Sequence, residues 1–486
     1  MIEAVVVLPA LAGLAAFGLR SRRQREVLLV GTAILHAGLV GVLALEVPPL
    51  PPGAWIGLDA LGLLFLIIVS VLFSAISVYA VGYLRREPER PRTDLEEGFL
   101  FDNEAEPTFV ACLLFFLATM SLVTVSRHLG LLWVGVEATT LASAPLIYFH
   151  RHHRSLEATW KYLLVCSVGI GFALLGNLLL AASGSDAEAS SIVLDDLLRV
   201  APRLERTWLE AGFLLLLVGY GTKMGLAPMH AWLPDAHSES PSLVSALLSG
   251  ALLNCAFLGI LRAHQVLSAA GSAPFASGPL QALGLVSMAL GALFIIRQPD
   301  YKRLLAYSSV EHMGVLALGV GVGGAAAFGA MLHALAHSLG KAALFLVAGN
   351  FVHRYASKQV QGVRGALAVV PCSAALWMAG LLAIAGVPPF ALFLSEFTIL
   401  RAALEVNPWV AALYLGLLAI GFVGVIGAGM PMVLGRGPES LAVSAEPRTA
   451  VVPPFLLAVP LLLLGLHLPA PLVRLLEGAA RLVGAG

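Results

Sequence analysis

Charge is scarce in this chain. Asp, Glu, Lys and Arg make up 12% of its 486 residues, where a soluble domain carries about 25%. Lysine is scarcer still: Lys161, Lys223, Lys302, Lys341 and Lys358 stand alone among the 29 basic residues, all others being Arg. GC-rich coding explains most of that bias, and it makes each lysine worth locating. Cysteine is limited to Cys112, Cys166, Cys255 and Cys372, isolated in or beside apolar runs with no CxxC pair. That excludes an iron–sulfur cluster, a zinc site and a disulfide framework built by this chain. The formal net charge is zero, so no bulk field draws nucleic acid or an acidic partner.

Apolar residues are abundant instead. They form 59% of the chain, too much for a soluble fold to hide, and they fall in runs long enough to cross about 30 Å of hydrocarbon. The runs are 2–19, 27–46, 58–84, 107–125, 129–149, 157–183, 211–233, 242–264, 278–297, 304–320, 325–352, 373–404, 408–434 and 450–470. An all-α polytopic membrane protein of about fourteen helices is expected. The first run carries Glu3 and no preceding basic region, so it reads as a span and not as a cleaved signal. Basic residues collect on alternate connections, with Arg20, Arg22, Arg23 and Arg25 after the first span and Arg85, Arg86, Arg90 and Arg92 after the third. The positive-inside rule puts that side in the cytoplasm, so both termini are expected outside. The connection 184–210 is assigned outside despite Arg199, Arg203 and Arg206, because Asp186, Glu188, Asp195, Asp196, Glu205 and Glu210 outnumber them. It reads as a short amphipathic surface helix.

Two spans are interrupted, the seventh at Lys223-Met-Gly-Leu-Ala-Pro228 and the twelfth at Gly386-Val-Pro-Pro389. Proline removes a backbone donor and clashes with the preceding turn, and freed carbonyls in a membrane are tolerated only against protein or a wet cavity. Breaks five spans apart run in opposite directions, the usual trace of inverted repeats around an ion path. The expected organisation is N-terminal helices 1–3 (1–106), a first five-helix unit (107–264), an inverted second unit (278–434), and helix fourteen with a short tail (450–486).

A charge at mid-bilayer costs about 2.5–3.5 kcal/mol on insertion scales, so ionisable residues inside spans need a reason. Glu137, Lys223, Lys341 and Glu396 are such residues, with no compensating charge on their own helices. In the eleventh span His333, His337 and Lys341 recur every four residues, which lines them along one helical face. Histidine exchanges protons near neutral pH, so this ladder suits a proton relay. A zinc site on the two histidines is the rival, but no HExxH glutamate or cysteine accompanies them and the lysine would repel a cation. Two charges 4 Å apart interact by about 4 kcal/mol at an effective dielectric of 20, so moving Glu137 relative to Lys223 would make the lysine hold or release its proton. His150-Arg-His-His-Arg154 borders a basic loop and reads as topology. Gly319-Val-Gly-Val-Gly-Gly324 lacks the strand–turn–helix setting of a nucleotide loop. Lys161 and Lys302 sit at span ends, where snorkelling accounts for them.

The stretch Gly221-Thr-Lys-Met-Gly-Leu-Ala-Pro-Met-His-Ala-Trp-Leu-Pro-Asp-Ala-His-Ser-Glu-Ser-Pro241 resembles the hallmark of the antiporter-like proton-translocating subunits of respiratory complex I, Mrp sodium/proton antiporters and membrane-bound [NiFe] hydrogenases. Asp300-Tyr-Lys-Arg-Leu-Leu-Ala-Tyr-Ser-Ser-Val-Glu-His-Met-Gly314 is a second hallmark and the eleventh span a third. The resemblance implies proton-transfer roles for Glu137, Lys223, His337, Lys341 and Glu396. Secondary positions are Lys161, His230, His237, Asn254, Lys302, His312 and His333. Asn254 stands where M-type complex I subunits carry a central lysine. That substitution and the run Ala-Leu-Leu-Ser-Gly-Ala-Leu-Leu-Asn254 look most like the F-type subunit of hydrogenase-4 and formate-hydrogenlyase complexes. The resemblance implies a multi-pass inner-membrane subunit with no cofactor of its own, driven by a peripheral [NiFe]-hydrogenase-like or complex I-like arm. An Mrp-type sodium/proton exchanger and a non-conducting scaffold remain as alternatives.

Overall fold

The computed structural model describes residues 1–51, 53–87, 91–93, 98–184, 191–437 and 441–484. Arg90, Asp186 and Glu188 of the loop-charge reading lie outside them. α1 (Ala4–Gly18), α2 (Arg22–Leu45) and α3 (Ala60–Arg86) lead to a two-residue antiparallel pair, β1 (Arg92–Thr93) with β2 (Leu100–Phe101). Next come α4 (Glu106–Val125), α5 (Leu129–Ile147), α6 (His153–Ala182), the short α7 (Leu194–Val200), α8 (Arg206–Met224), α9 (Leu233–Glu239) and α10 (Ser242–Leu247). α10 runs through a π turn over Leu248–Leu252 into α11 (Leu253–Ala269). The second half holds α12 (Ala273–Ile295), α13 (Tyr301–Val322), α14 (Ala325–Tyr355), α15 (Ala366–Val369), α16 (Pro371–Ile384), α17 (Ala391–Val406) and α18 (Pro408–Leu434). α19 (Arg448–Leu466) and α20 (Ala470–Leu482) close the chain. Among the described residues twelve helical stretches are long and apolar enough to cross a membrane. The shorter α1 and the broken α16/α17 account for the other two of the fourteen crossings.

Side chains at the helix starts explain where the spans begin. Ser21 and Gln24 form a reciprocal cap on α2, Asp59 caps α3, Glu205 caps α8, Asp300 caps α13 and Asn407 caps α18. Each accepts from an amide that has no partner inside its helix. His152, read as part of a basic loop, accepts from the Ser155 amide at 3.1 Å and caps α6. The expected surface helix is α7. The tail after helix fourteen is not a plain extension: it forms α20, whose Leu476, Ala479 and Ala480 are buried against α3 and α14. Arg474, Glu477 and Arg481 alternate with them along the helix, an amphipathic pattern too polar to read as a span.

The two breaks share one construction. Gly225 ends α8 at φ 83° and Gly386 follows α16 at φ 66°, a left-handed backbone that suits glycine. A cis proline comes three residues later in each, at Pro228 and Pro389. Packing repeats across the same offset of five spans: α4 lies on α5 as α12 lies on α13, α5 on α6 as α13 on α14, and α6 on α8 as α14 on α16 and α17. α11 and α14 are almost fully buried, while α18 and α19 turn residues such as Val423, Phe455 and Leu463 outward, as helices facing lipid or a partner do.

Charged clusters tie the helices at both ends. At one end Arg262 grips Asp59 through both carboxylate oxygens at 2.5 and 2.8 Å, Arg127 joins Asp59 at 2.5 Å, and Arg127 also reaches Asp195. Burial opposes ionisation of Asp59 most strongly. Arg262, Arg127 and the Gly62 amide outweigh it and hold the carboxyl well below the usual carboxylate range. Replacing Asp59 by Ala leaves the buried Arg262 without its acid and Arg127 with Asp195 alone, and lowers stability by about 3–5 kcal/mol, measured as an earlier thermal transition in detergent. Because the folded carboxyl titrates below the unfolded one, this deficit holds from neutral pH down to about 4 and shrinks only below that. A deficit already fading at pH 6 would contradict the assignment.

Candidate proton-relay site

In the first unit, Lys223 is fully buried near the end of α8. Its Nζ donates to Thr140 Oγ1 at 2.7 Å and Tyr162 OH at 2.6 Å, and lies 4.4 Å over the Tyr162 ring. Tyr162 in turn meets Ser143 Oγ at 2.7 Å. Glu137, half-buried on α5, is not in contact with Lys223. Thr140 Oγ1 stands 3.4 Å from its carboxylate and Ser167 donates to it at 2.9 Å. The expected acid–base pair is therefore present with a hydroxyl between its members. Thr140 is one turn from Glu137 on α5, so helical spacing alone sets that bridge.

Between the units, Asn254 on α11 donates to Ser338 Oγ at 2.6 Å and to the Gly250 carbonyl at 3.0 Å. Ser338 follows His337 on α14. Both His337 ring nitrogens, Asn254 Oδ1 and His237 Nε2 are buried without a partner. Lys341 donates to the Leu305 carbonyl at 2.8 Å and to Ser308 Oγ. His237 itself is anchored on the Leu233 carbonyl at 2.9 Å.

In the second unit the ladder bends away from Lys341 through another helix. His312 of α13 is hydrogen-bonded to His333 at 3.0 Å, and His333 to Ser395 Oγ at 2.9 Å. The His337 ring lies tilted beside His312, with ring centroids 5.1 Å apart. Glu396, next to Ser395 on α17, is buried and presses on the break, where a Cβ on Gly386 would overlap its carboxylate. His312, His333 and Glu396 bring donor atoms within 4.8 Å of one another. The proton already shared by the two rings fits a relay better than a divalent cation, which would have to replace it.

Three secondary positions, Lys161, Lys302 and His230, lie apart from these, near the ion pairs of Asp235 and Glu239. Lys302 does not snorkel as its place in the sequence suggests. It is buried, and Nζ donates to the carbonyls of Ser240 at 2.5 Å and Ser238 at 3.0 Å. The chain irregularity between α9 and α10 frees those carbonyls. Lys161 reaches Asp235 at 3.0 Å, and Arg303 meets the same carboxylate. Lys358 pairs with Glu239 at 2.9 Å. His230, whose Nδ1 is unpartnered, faces the Tyr307 ring. A cavity of about 390 Å³ opens here, lined by residues that include Arg86, His150, Glu239, Lys302 and Lys358.

The family profile described as NADH:quinone oxidoreductase/Mrp antiporter, TM, matches residues 126–422, which hold every station above. The chain belongs to this family. It is an antiporter-like membrane subunit, similar to the hydrogenase-4 component F homolog of Methylacidiphilum infernorum at 35% identity over 82% of each chain. A chain of respiratory complex I from Thermus thermophilus superposes with a TM-score of 0.81 at 27% identity over the whole of both chains. A chain of an archaeal membrane-bound sulfane sulfur reductase does so at 0.87 and 20% identity over 99% and 97%, a likeness of fold.

Two features of this antiporter-like subunit escaped the sequence reading. Thr140 was unremarked because a threonine in a span has no signature. Glu311 sits inside the second hallmark yet received no role, although a carboxylate within span 304–320 was signal enough. If Thr140 carries the link, Thr140→Val removes a hydrogen bond to a charged group worth about 1.5–3 kcal/mol. Proton translocation by the assembled complex in vesicles then falls roughly tenfold or more, while Thr140→Ser stays near wild type. Equal rates for Val and Thr would remove Thr140 from the link.

Proposed function

We propose that this chain moves protons across the cytoplasmic membrane as one subunit of a redox-driven complex of the group 4 [NiFe]-hydrogenase or complex I type. One observation carries the reading. Among the described residues the ionisable groups in mid-membrane, Lys223, His333, His337 and Lys341, lie among other buried polar residues and none meets an opposite charge: Lys223 and Lys341 rest on hydroxyls and a carbonyl, and His333 on a hydroxyl and His312. A salt bridge would hold the charge in place. A hydroxyl accepts from an ammonium and can turn to donate to the neutral amine, so either protonation state is tolerated.

In this reading Glu137 and Lys223 are the switch, Thr140 their bridge, His337 and Lys341 the central relay, and Glu396 the terminal group. Residues 107–264 and 278–434 are the two inverted units, supported by the repeated break and the repeated helix packing. Lys302, Lys161 and the cavity beside them form the cytoplasmic mouth, with both termini on the opposite side. The peripheral arm supplies the redox chemistry, since this chain offers no clustered cysteines for it. A relative named for hydrogenase-4 at 35% identity supports that assembly.

Lys223→Ala and Glu396→Gln are expected to leave the complex assembled in vesicles and to cut redox-linked proton translocation at least tenfold. Wild-type translocation in both variants would overturn the relay and favour a scaffold. Translocation that stops when sodium is replaced by choline would move the chain to sodium/proton exchange.

A further inference from the structure

One buried acid has no place in the relay above. Glu311 lies mid-way along α13, is 4% exposed and has no hydrogen-bond or ion-pair partner among the described residues. One neighbouring helix is cut away to admit its carboxylate, and another packs closely on its backbone. A Cβ on Gly421 of α18 would stand 2.6 Å from Glu311 Oε2, and closer still to Oε1. A Cβ on Gly291 of α12 would stand 2.8 Å from the Glu311 amide nitrogen. A carboxylate in such a niche contributes no packing that Leu or Gln would not, and its charge is costly there. The titratable groups around it are Lys341 of α14, Glu396 of α17 and Tyr414 of α18, with His312 beside it in the chain, and its charge reaches both Lys341 and Glu396. It therefore stands electrostatically between the central lysine and the terminal acid. α13 also occupies in the second unit the position that α5 holds in the first, and α5 carries Glu137 near its own middle.

We propose that Glu311 is a proton-carrying residue of the second unit, the counterpart of Glu137, that exchanges protons with Lys341 on one side and Glu396 on the other. This rests on the relay reading. The Lys341 ammonium gives one proton to the Glu311 carboxylate, leaving a neutral amine and a carboxylic acid. The acid then gives that proton to the Glu396 carboxylate, across intervening water where the groups do not touch. No electron moves. Gly421 keeps the niche large enough for the carboxyl to turn between its two neighbours.

The test uses the whole complex in inverted vesicles and compares Glu311→Gln, Glu311→Asp and Lys223→Ala, reading protons moved per redox turnover. Gln preserves shape and hydrogen bonding but cannot be protonated, so a packing role survives it and a proton-carrying role does not. Glu311→Gln is expected to assemble and lose at least tenfold in translocation, with Asp recovering part. Wild-type translocation in Glu311→Gln while Lys223→Ala is inactive would overturn the role of Glu311 and leave the relay standing. Wild-type translocation in Lys223→Ala would overturn the relay itself. If Glu311→Gln does not assemble, the pH profile of translocation in Glu311→Asp decides: a shifted profile supports the role, and an unchanged one overturns it.

Discussion

Hydrocarbon does not forgive a fixed charge, and the molecule meets that constraint in two different ways. Towards the membrane faces, acids and bases are paired directly: Asp59 with Arg262 and Arg127, Glu26 with Arg85, Glu106 with Arg25, Asp235 with Lys161 and Arg303, Glu239 with Lys358. Deep inside, pairing is avoided. Lys223 rests on Thr140 and Tyr162, Lys341 on Ser308 and a carbonyl, His333 on His312 and Ser395. Opposite charges in contact would separate protonation free energies by roughly three pKa units at an effective dielectric of 20. Such a pair stabilises a helix contact and is a poor exchanger. The ends of the molecule are therefore built to stay charged and the middle to change charge.

The backbone breaks serve the same division. A regular helix engages most of its carbonyls in its own ladder, and ammonium groups need acceptors. Ser238 and Ser240, where the chain leaves α9 for α10, give Lys302 two carbonyls. The second break gives Glu396 a surface without side chains at Gly386. Glycine thus appears at two sites for different reasons: at Gly386 the left-handed turn and the close carboxylate both require it, and at Gly421 only the carboxylate does.

Much of this was legible in the sequence. Fourteen apolar runs, two Gly-x-x-Pro breaks and a His–His–Lys ladder announce themselves by length and spacing, because the membrane imposes periodicity and tolerates few exceptions. The lysines stood out by rarity. What stayed hidden depends on distance between helices. Sequence separation says nothing of Arg262 gripping Asp59, which lies some two hundred residues earlier, or of Thr140 standing between Glu137 and Lys223. Glu311 was hidden differently: it reads as part of a motif, and its niche becomes visible only when Gly421 is seen across from it.

Asn254 of α11 meets Ser338 of α14 in the buried interior. An amide neither gains nor loses a proton at physiological pH, so a proton crossing from Lys223 to His337 cannot rest there. The amide nitrogen is committed to Ser338 and Gly250, but its oxygen, both His337 nitrogens and His237 Nε2 carry unmet hydrogen-bonding capacity in the same buried zone. Each unmet group costs about 1–3 kcal/mol if dry, a cost that water with two to four polar partners removes. A lysine here would add a third buried ammonium beside Lys223 and Lys341 and raise the cost of charging either. An asparagine keeps the junction polar without adding charge.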